Sequence, residues 1–204
     1  MRHKRLVKHI LIGSFLAFSY CVCFLIWFSR QMSEQELALR QEIVTAAETY
    51  LGYNEADGSH QVIIDIYNTQ ESLPRDYVVS YGDSWCAVFG CAVAMQTKMA
   101  DWIPMECSCQ QQIALFDQQG EWQESDWYLP RPGDYIFYDW DASPIGRNTG
   151  WSDHVGIVVD TCGPIIKVIE GNKDDCVTYR YVFINHPYIR GYGLPDYRKA
   201  AACS

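Results

Sequence analysis

The chain has 204 residues, of which 49% are apolar and 20% charged, a composition that is typical of a folded globular protein and argues against intrinsic disorder. The formal net charge is −9, and five of the 16 Lys and Arg residues lie in the first 30 positions, which hold no Asp or Glu. The rest of the chain therefore carries 11 basic against 25 acidic residues, which argues against nucleic acid and anionic membrane surfaces as its partners.

The N-terminal segment is predicted to anchor the protein in a membrane. Residues 10–28 form an uncharged, apolar run whose length matches a bilayer core. Basic residues cluster in the preceding flank, 1–9, which predicts that this flank is cytoplasmic and that the rest is extracytoplasmic. We therefore expect a single-pass protein of the cell membrane. The alternative is secretion after cleavage of a signal peptide, but no small-residue cleavage site follows the run.

Helical periodicity of apolar residues predicts four helices after this segment. They cover residues 37–51, 60–68, a stretch that starts near 86 and, more weakly, 109–119. A capping box of Ser33 and Glu36 precedes the first helix, and Ser59 is expected to cap the second. Asp83 or Ser84 is expected to cap the third.

The pattern changes after Pro130, where short runs rich in β-branched and aromatic residues predict strands. These strands cover residues 135–140, 154–160, 165–171 and 176–183. The sequence "TCGP" between the second and third strands predicts a hairpin turn. Helices followed by an antiparallel sheet predict an α+β domain, which we place at residues 33–204.

Cys86 is a candidate nucleophile because it stands at the predicted start of the third helix. There the helix dipole and free N–H groups favour the thiolate, and the same N–H groups can bind the oxyanion of a tetrahedral intermediate. The alternative is a buried structural cysteine. That description fits Cys91, which lies within the same helix among apolar neighbours.

His154 is a candidate general base because it opens the second predicted strand. Hairpin geometry brings the end of the next strand, "IEGN", beside it, so that Glu170 and Asn172 can lie near the imidazole. Either residue could fix the histidine tautomer, and a carboxylate would also stabilise an imidazolium. The alternatives are a solvated histidine, a loop carboxylate and a turn asparagine.

The other cysteines give no metal site. Seven cysteines lie outside residues 10–28, an odd number that leaves at least one thiol unpaired in a monomer. Cys162 and Cys176 flank the predicted hairpin, either as a disulfide or as two free thiols. The "CSC" pair at 107–109 is too closely spaced for a tetrahedral zinc set, so we expect neither a metal nor a cofactor.

Five sequence blocks together resemble the CHAP family, the cysteine- and histidine-dependent amidohydrolases and peptidases. They are "WCAVF", "RPGDYIFYDW", "SDHVGIVV", "VIEGN" and "IRGYGLPDY", and the similarity spans about residues 40–198. The resemblance implies a papain-like fold, with N-terminal helices packed on an antiparallel sheet, and cleavage of amide bonds in peptidoglycan. It implies Cys86 as nucleophile, His154 as base, Glu170 as the third polar residue and Asn172 as a further polar position.

Two other functions are compatible with the same sequence. One is a cell-wall binding or adaptor module that has kept the fold without turnover, against which the intact Cys86, His154 and Glu170 argue. The other is a thiol acyltransferase or transpeptidase, whose chemistry up to the thioester is the same and whose acceptor differs.

Overall fold

The computed structural model of the protein describes residues 33–142 and 150–203. The helices within these ranges are α1 (Glu34–Glu48), α2 (Gln61–Asn68), α3 (Cys86–Gln96), α4 (Cys109–Gln118) and α5 (Tyr197–Cys203). The strands are β1 (Trp122–Gln123), β2 (Tyr135–Tyr138), β3 (His154–Cys162), β4 (Ile165–Lys173), β5 (Cys176–Phe183) and β6 (Ile189–Gly193). No helix in this part of the chain has the length and apolarity to cross a membrane, and the predicted anchor (10–28) and flank (1–9) lie outside the described residues.

The strands form one antiparallel sheet in the order β1-β6-β2-β3-β4-β5. Consecutive hairpins join β3 to β4 and β4 to β5, as the alternating strand and turn residues predict. By contrast, β6 returns from the end of the chain to lie between β1 and β2. The predicted α+β class is confirmed, and β1, β6 and α5 are additional to the predicted elements.

The side-chain caps predicted for α2 and α3 are wrong. The Ser59 hydroxyl accepts a hydrogen bond from the backbone N–H of Asn54 at 2.8 Å and caps no helix. The Asp83 carboxylate accepts hydrogen bonds from the N–H and hydroxyl of Ser80 and from the Tyr77 hydroxyl, all of which precede it, and Ser84 also makes no cap bond. The N-cap residue of α3 is Trp85, which has no capping side chain. The first N–H groups of α3 are therefore not covered by a side-chain cap.

Helix α3 is the central element of the core. Every residue from Cys86 to Ala94 is buried, and the helix packs against α2 and against strands β3 and β4. Its first turn approaches β4 closely at Gly171, where an added Cβ would lie 2.5 Å from the Phe89 Cβ and 2.9 Å from the Trp85 ring. The missing side chain at Gly171 thus lets the start of α3 rest directly on the sheet.

We expect Gly171→Ala to destabilise the fold by about 1–3 kcal/mol, because the new methyl group overlaps the first turn of α3. The measurement is the free energy of unfolding of the purified chain in urea. Gly82→Ala is the matched control, since nothing lies within 4 Å of an added Cβ there. Equal stability of the two variants would contradict the close packing of α3 on β4.

Candidate active site

Cys86 is the first residue of α3, and the residue is only 5% exposed. Its Sγ atom lies 3.5 Å from the Sγ atom of Cys109. The neighbouring Cys109 thiol, the His154 imidazole and the Ala87 N–H lower the pKa of Cys86 well below its usual value, against the effect of burial. The thiolate is therefore favoured at this position, as expected for a cysteine at a helix N-terminus beside a histidine.

His154 is the first residue of β3, where it pairs with Tyr138 of β2. The imidazole is buried, and its Nε2 atom lies 3.0 Å from Oε2 of Glu170. Burial alone would lower the pKa of His154, but the Cys86 sulfur and the Glu170 carboxylate outweigh it and raise the pKa to about 9. At neutral pH the ring is thus an imidazolium between two negative groups.

Glu170 reaches His154 from the middle of β4, where it is fully buried. Its side chain crosses the neighbouring strand over Gly156, where an added Cβ would lie only 2.6 Å from the Glu170 Cγ. Burial would raise the pKa of this carboxyl, but His154 and Arg180 together lower it. Gly156 leaves the space that the carboxylate needs, and the two cations keep it ionised.

Arg180 of β5 is a site residue that the sequence reasoning missed. Its Nε atom donates to both carboxylate oxygens of Glu170, at 2.7 and 2.9 Å. The guanidinium also lies over the ring of Trp140, 4.6 Å from the centroid, and that ring lies 6.4 Å from His154. The register of the β4–β5 hairpin indicates this contact. Thr178 lies opposite Glu170, so Arg180, two residues further along β5, is the diagonal neighbour of Glu170.

We expect Arg180→Gln to lower kcat/KM by roughly tenfold, because Glu170 loses the group that orients it and keeps it ionised. The pKa of Glu170 should rise, and the acidic limb of the pH–rate profile should therefore move to higher pH. Lys167→Met is the matched control, since it removes a cation of the same sheet that lies over the Tyr179 ring. An unchanged profile in Arg180→Gln would exclude this role.

Asn172 is not joined to the imidazole by a hydrogen bond within the described residues. It lies where the β4–β5 register shifts between Glu170 and Lys173, and its backbone is left-handed, with a φ of 56°. An asparagine tolerates this conformation better than most residues do. The structure therefore joins His154 to Glu170 by a hydrogen bond, with His154 among the groups that lower the pKa of Cys86. Asn172 lies in an irregular part of the strand.

The remaining cysteines form no disulfide in the part of the chain that the structure describes. All seven cysteines there are free thiols, including Cys162 and Cys176. No group of three or more His, Cys, Asp or Glu side chains within residues 33–142 and 150–203 is arranged to hold a metal ion.

No protein-family model matches this chain, and no curated protein matches it. A comparison with solved structures finds an NlpC/P60 family protein from Bacillus cereus, with a TM-score of 0.43 and 14% sequence identity. The match covers 76% of this chain and 40% of that one, so the chain spans less than half the length of its structural neighbour.

Proposed function

We propose that this protein is a cysteine-dependent hydrolase of the CHAP type that cleaves amide bonds in bacterial peptidoglycan. The observation that carries the proposal is the 3.0 Å hydrogen bond that joins the His154 imidazole to the Glu170 carboxylate, beside a Cys86 thiol whose pKa the imidazole helps to lower. A structural cysteine needs none of these partners. The CHAP-like sequence blocks support peptidoglycan as the substrate class, with Asn172 as a further polar position near the site.

The first step is attack of the Cys86 thiolate on the substrate carbonyl carbon. Because Nε2 of His154 is held by Glu170 at 3.0 Å, the other ring nitrogen, Nδ1, is the one that exchanges a proton with the thiol. The ion pair is already formed at neutral pH, since the pKa of His154 is raised and that of Cys86 is lowered. The nucleophile is therefore ready before substrate binds.

The developing oxyanion is stabilised at the start of α3. The N-cap residue Trp85 provides no capping side chain, so the first N–H groups of the helix can donate to a negatively charged oxygen. The positive end of the helix dipole acts in the same direction. The absence of a side-chain cap on α3, which the sequence did not predict, is what a cysteine hydrolase needs at this point.

His154 then transfers its proton to the leaving amine, and a thioester to Cys86 remains. Water attacks this thioester with the imidazole as general base, which releases the carboxylic acid and restores the thiol. Glu170 stabilises the positive charge on the ring while it carries the proton. Muramoyl–alanine, stem-peptide and cross-bridge amides all have the bond that this sequence of steps cleaves.

The test is digestion of purified peptidoglycan with the full-length chain, followed by mass spectrometry of the released fragments. We expect fragments with a new amino and a new carboxyl terminus, and their masses identify the bond. In ¹⁸O-labelled water, hydrolysis places label in the new carboxyl group, whereas transfer to an amine acceptor does not. A chain that binds peptidoglycan and releases no fragment, as its Cys86→Ala variant should, would instead be a binding module.

The catalytic domain is proposed to lie outside the cell, attached to the membrane by residues 10–28. The basic flank at 1–9 and the uncharged run that follows it support this arrangement. Protease added to intact protoplasts that express the protein should remove the domain and leave a short membrane-bound fragment. Complete protection of the domain would reverse the proposed orientation, and its release into the medium without protease would indicate a cleaved signal peptide.

A further inference from the structure

A second thiol lies beside the proposed nucleophile. Helix α4 begins at Cys109, just as α3 begins at Cys86, and the two sulfur atoms lie 3.5 Å apart. Both side chains are buried, and both are free thiols. Two helix N-termini therefore present their first residues to each other, with one sulfur atom on each.

No bond formed or broken in the proposed hydrolysis involves Cys109, although its hydrogen bond contributes to the lowered pKa of Cys86. His154 acts as the base and Glu170 orients its imidazole, so no step requires a second thiol. Within the described residues, the Cys86 sulfur is also the one side-chain hydrogen-bond partner of Cys109. By contrast, the Cys91 thiol donates to the carbonyl oxygens of Pro104 and Glu106, as expected for a buried structural cysteine.

We propose that Cys86 and Cys109 form a reversible disulfide that removes the nucleophile, with a small-molecule disulfide as oxidant and a dithiol as reductant. The sulfur atoms need to approach by about 1.5 Å to reach the S–S bond length of about 2.05 Å. This pairing does not depend on which substrate the site cleaves. Only the loss of hydrolysis that follows from it rests on the proposed function.

The exchange proceeds in two balanced steps. The Cys86 thiolate attacks one sulfur of the oxidant, which forms a mixed disulfide and releases one thiolate of the oxidant. Cys109 then loses its proton and attacks the Cys86 sulfur, which releases the second thiolate and closes the protein disulfide. A dithiol reverses both steps, so that two protein thiols return and the dithiol becomes a cyclic disulfide.

The state of Cys86 controls the second step. In the reduced protein, the neighbouring Cys86 sulfur, together with burial, raises the pKa of Cys109 well above its usual value. Once Cys86 is in a mixed disulfide its negative charge is gone, and Cys109 ionises more readily. Cys109 therefore stays a protonated thiol while Cys86 is a thiolate. It becomes a reactive thiolate more readily after Cys86 has formed the mixed disulfide.

The test is peptide mapping of the oxidised full-length chain. A Cys107→Ser background is used because trypsin leaves Cys107 and Cys109 on one peptide, and chymotrypsin, which cleaves after Phe89, separates Cys86 from Cys91. The chain is treated with oxidised glutathione or with the smaller bis(2-hydroxyethyl) disulfide and is then alkylated. We expect a Cys86–Cys109 linked peptide, loss of alkylation at Cys86 and recovery of both thiols with dithiothreitol.

The controls separate this pairing from general oxidation. Cys109→Ser should stop at a mixed disulfide on Cys86, whereas Cys162→Ser, at an exposed position, should form the same linked peptide as the parent chain. The proposal is overturned if Cys86 keeps a mixed disulfide while Cys109 stays free, if it pairs with another cysteine, or if neither oxidant links it. None of these readouts uses peptidoglycan, so failure of the pairing and failure of the hydrolase assignment are distinguishable.

Discussion

Replacement of Cys86 by alanine is expected to lower kcat/KM on a defined peptidoglycan peptide by several orders of magnitude, because the side chain proposed to form the thioester is lost. The fold should survive, since the change removes one sulfur atom from the first turn of α3 and leaves its backbone bonds intact. Circular dichroism and the urea unfolding curve check this second point. Measured together, the two results separate a lost nucleophile from a lost structure.

Cys91→Ala is the matched control because it removes the same atom from the same helix. Burial raises the pKa of Cys91, in contrast to the lowered pKa of Cys86, so Cys91 remains a neutral thiol at physiological pH. Most of the activity should therefore remain in Cys91→Ala. An inactive Cys91→Ala beside an active Cys86→Ala would show that the nucleophile has been assigned to the wrong cysteine.

Glu170→Gln is expected to lower kcat/KM by roughly 10²-fold or more, equivalent to about 2.7 kcal/mol of transition-state stabilisation. The amide keeps the shape of the side chain and loses the charge that stabilises the His154 imidazolium. The pKa of His154 should then fall below its value of about 9, and the alkaline limb of the pH–rate profile should move to lower pH.

The comparison with Asn172→Ala identifies the residue that orients His154. No hydrogen bond in the described part of the chain joins Asn172 to the imidazole, so this variant should lose less activity than Glu170→Gln. The measurement is the pH dependence of kcat/KM for both variants on the same peptide. A nearly unaffected Glu170→Gln with a severely impaired Asn172→Ala would assign the orienting role to the amide instead of the carboxylate.

The sequence predicts the parts of the fold that depend on neighbouring residues. Helix α3 and the hairpins β3–β4 and β4–β5 follow from local periodicity and short turns, and the hairpin register explains why Glu170 was expected near His154. Strand β6 was missed because its partners β1 and β2 lie far away along the chain. Patterns of neighbouring residues do not predict that β6 pairs with β1 and β2.

The same limit applies to the site. The proximity of Cys109 to Cys86 depends on how α4 packs beside α3. The spacing of residues along the chain does not predict this packing. The caps of α3 were predicted from residue type alone, but Asp83 has closer donors within its own turn. The sequence thus predicts which groups could react, whereas the groups that surround them follow from packing between distant segments.

The two close approaches at Gly156 and Gly171 have a consequence for how this protein tolerates genetic change. Neither residue has a functional group, but the Glu170 side chain fills the space above one, and the first turn of α3 fills the space above the other. A complete single-substitution library, selected for activity, should therefore be depleted at these two positions almost as strongly as at Cys86. A ranking by tolerance alone would place Gly156 and Gly171 among the residues proposed to react, although these two glycines only leave space for neighbouring side chains.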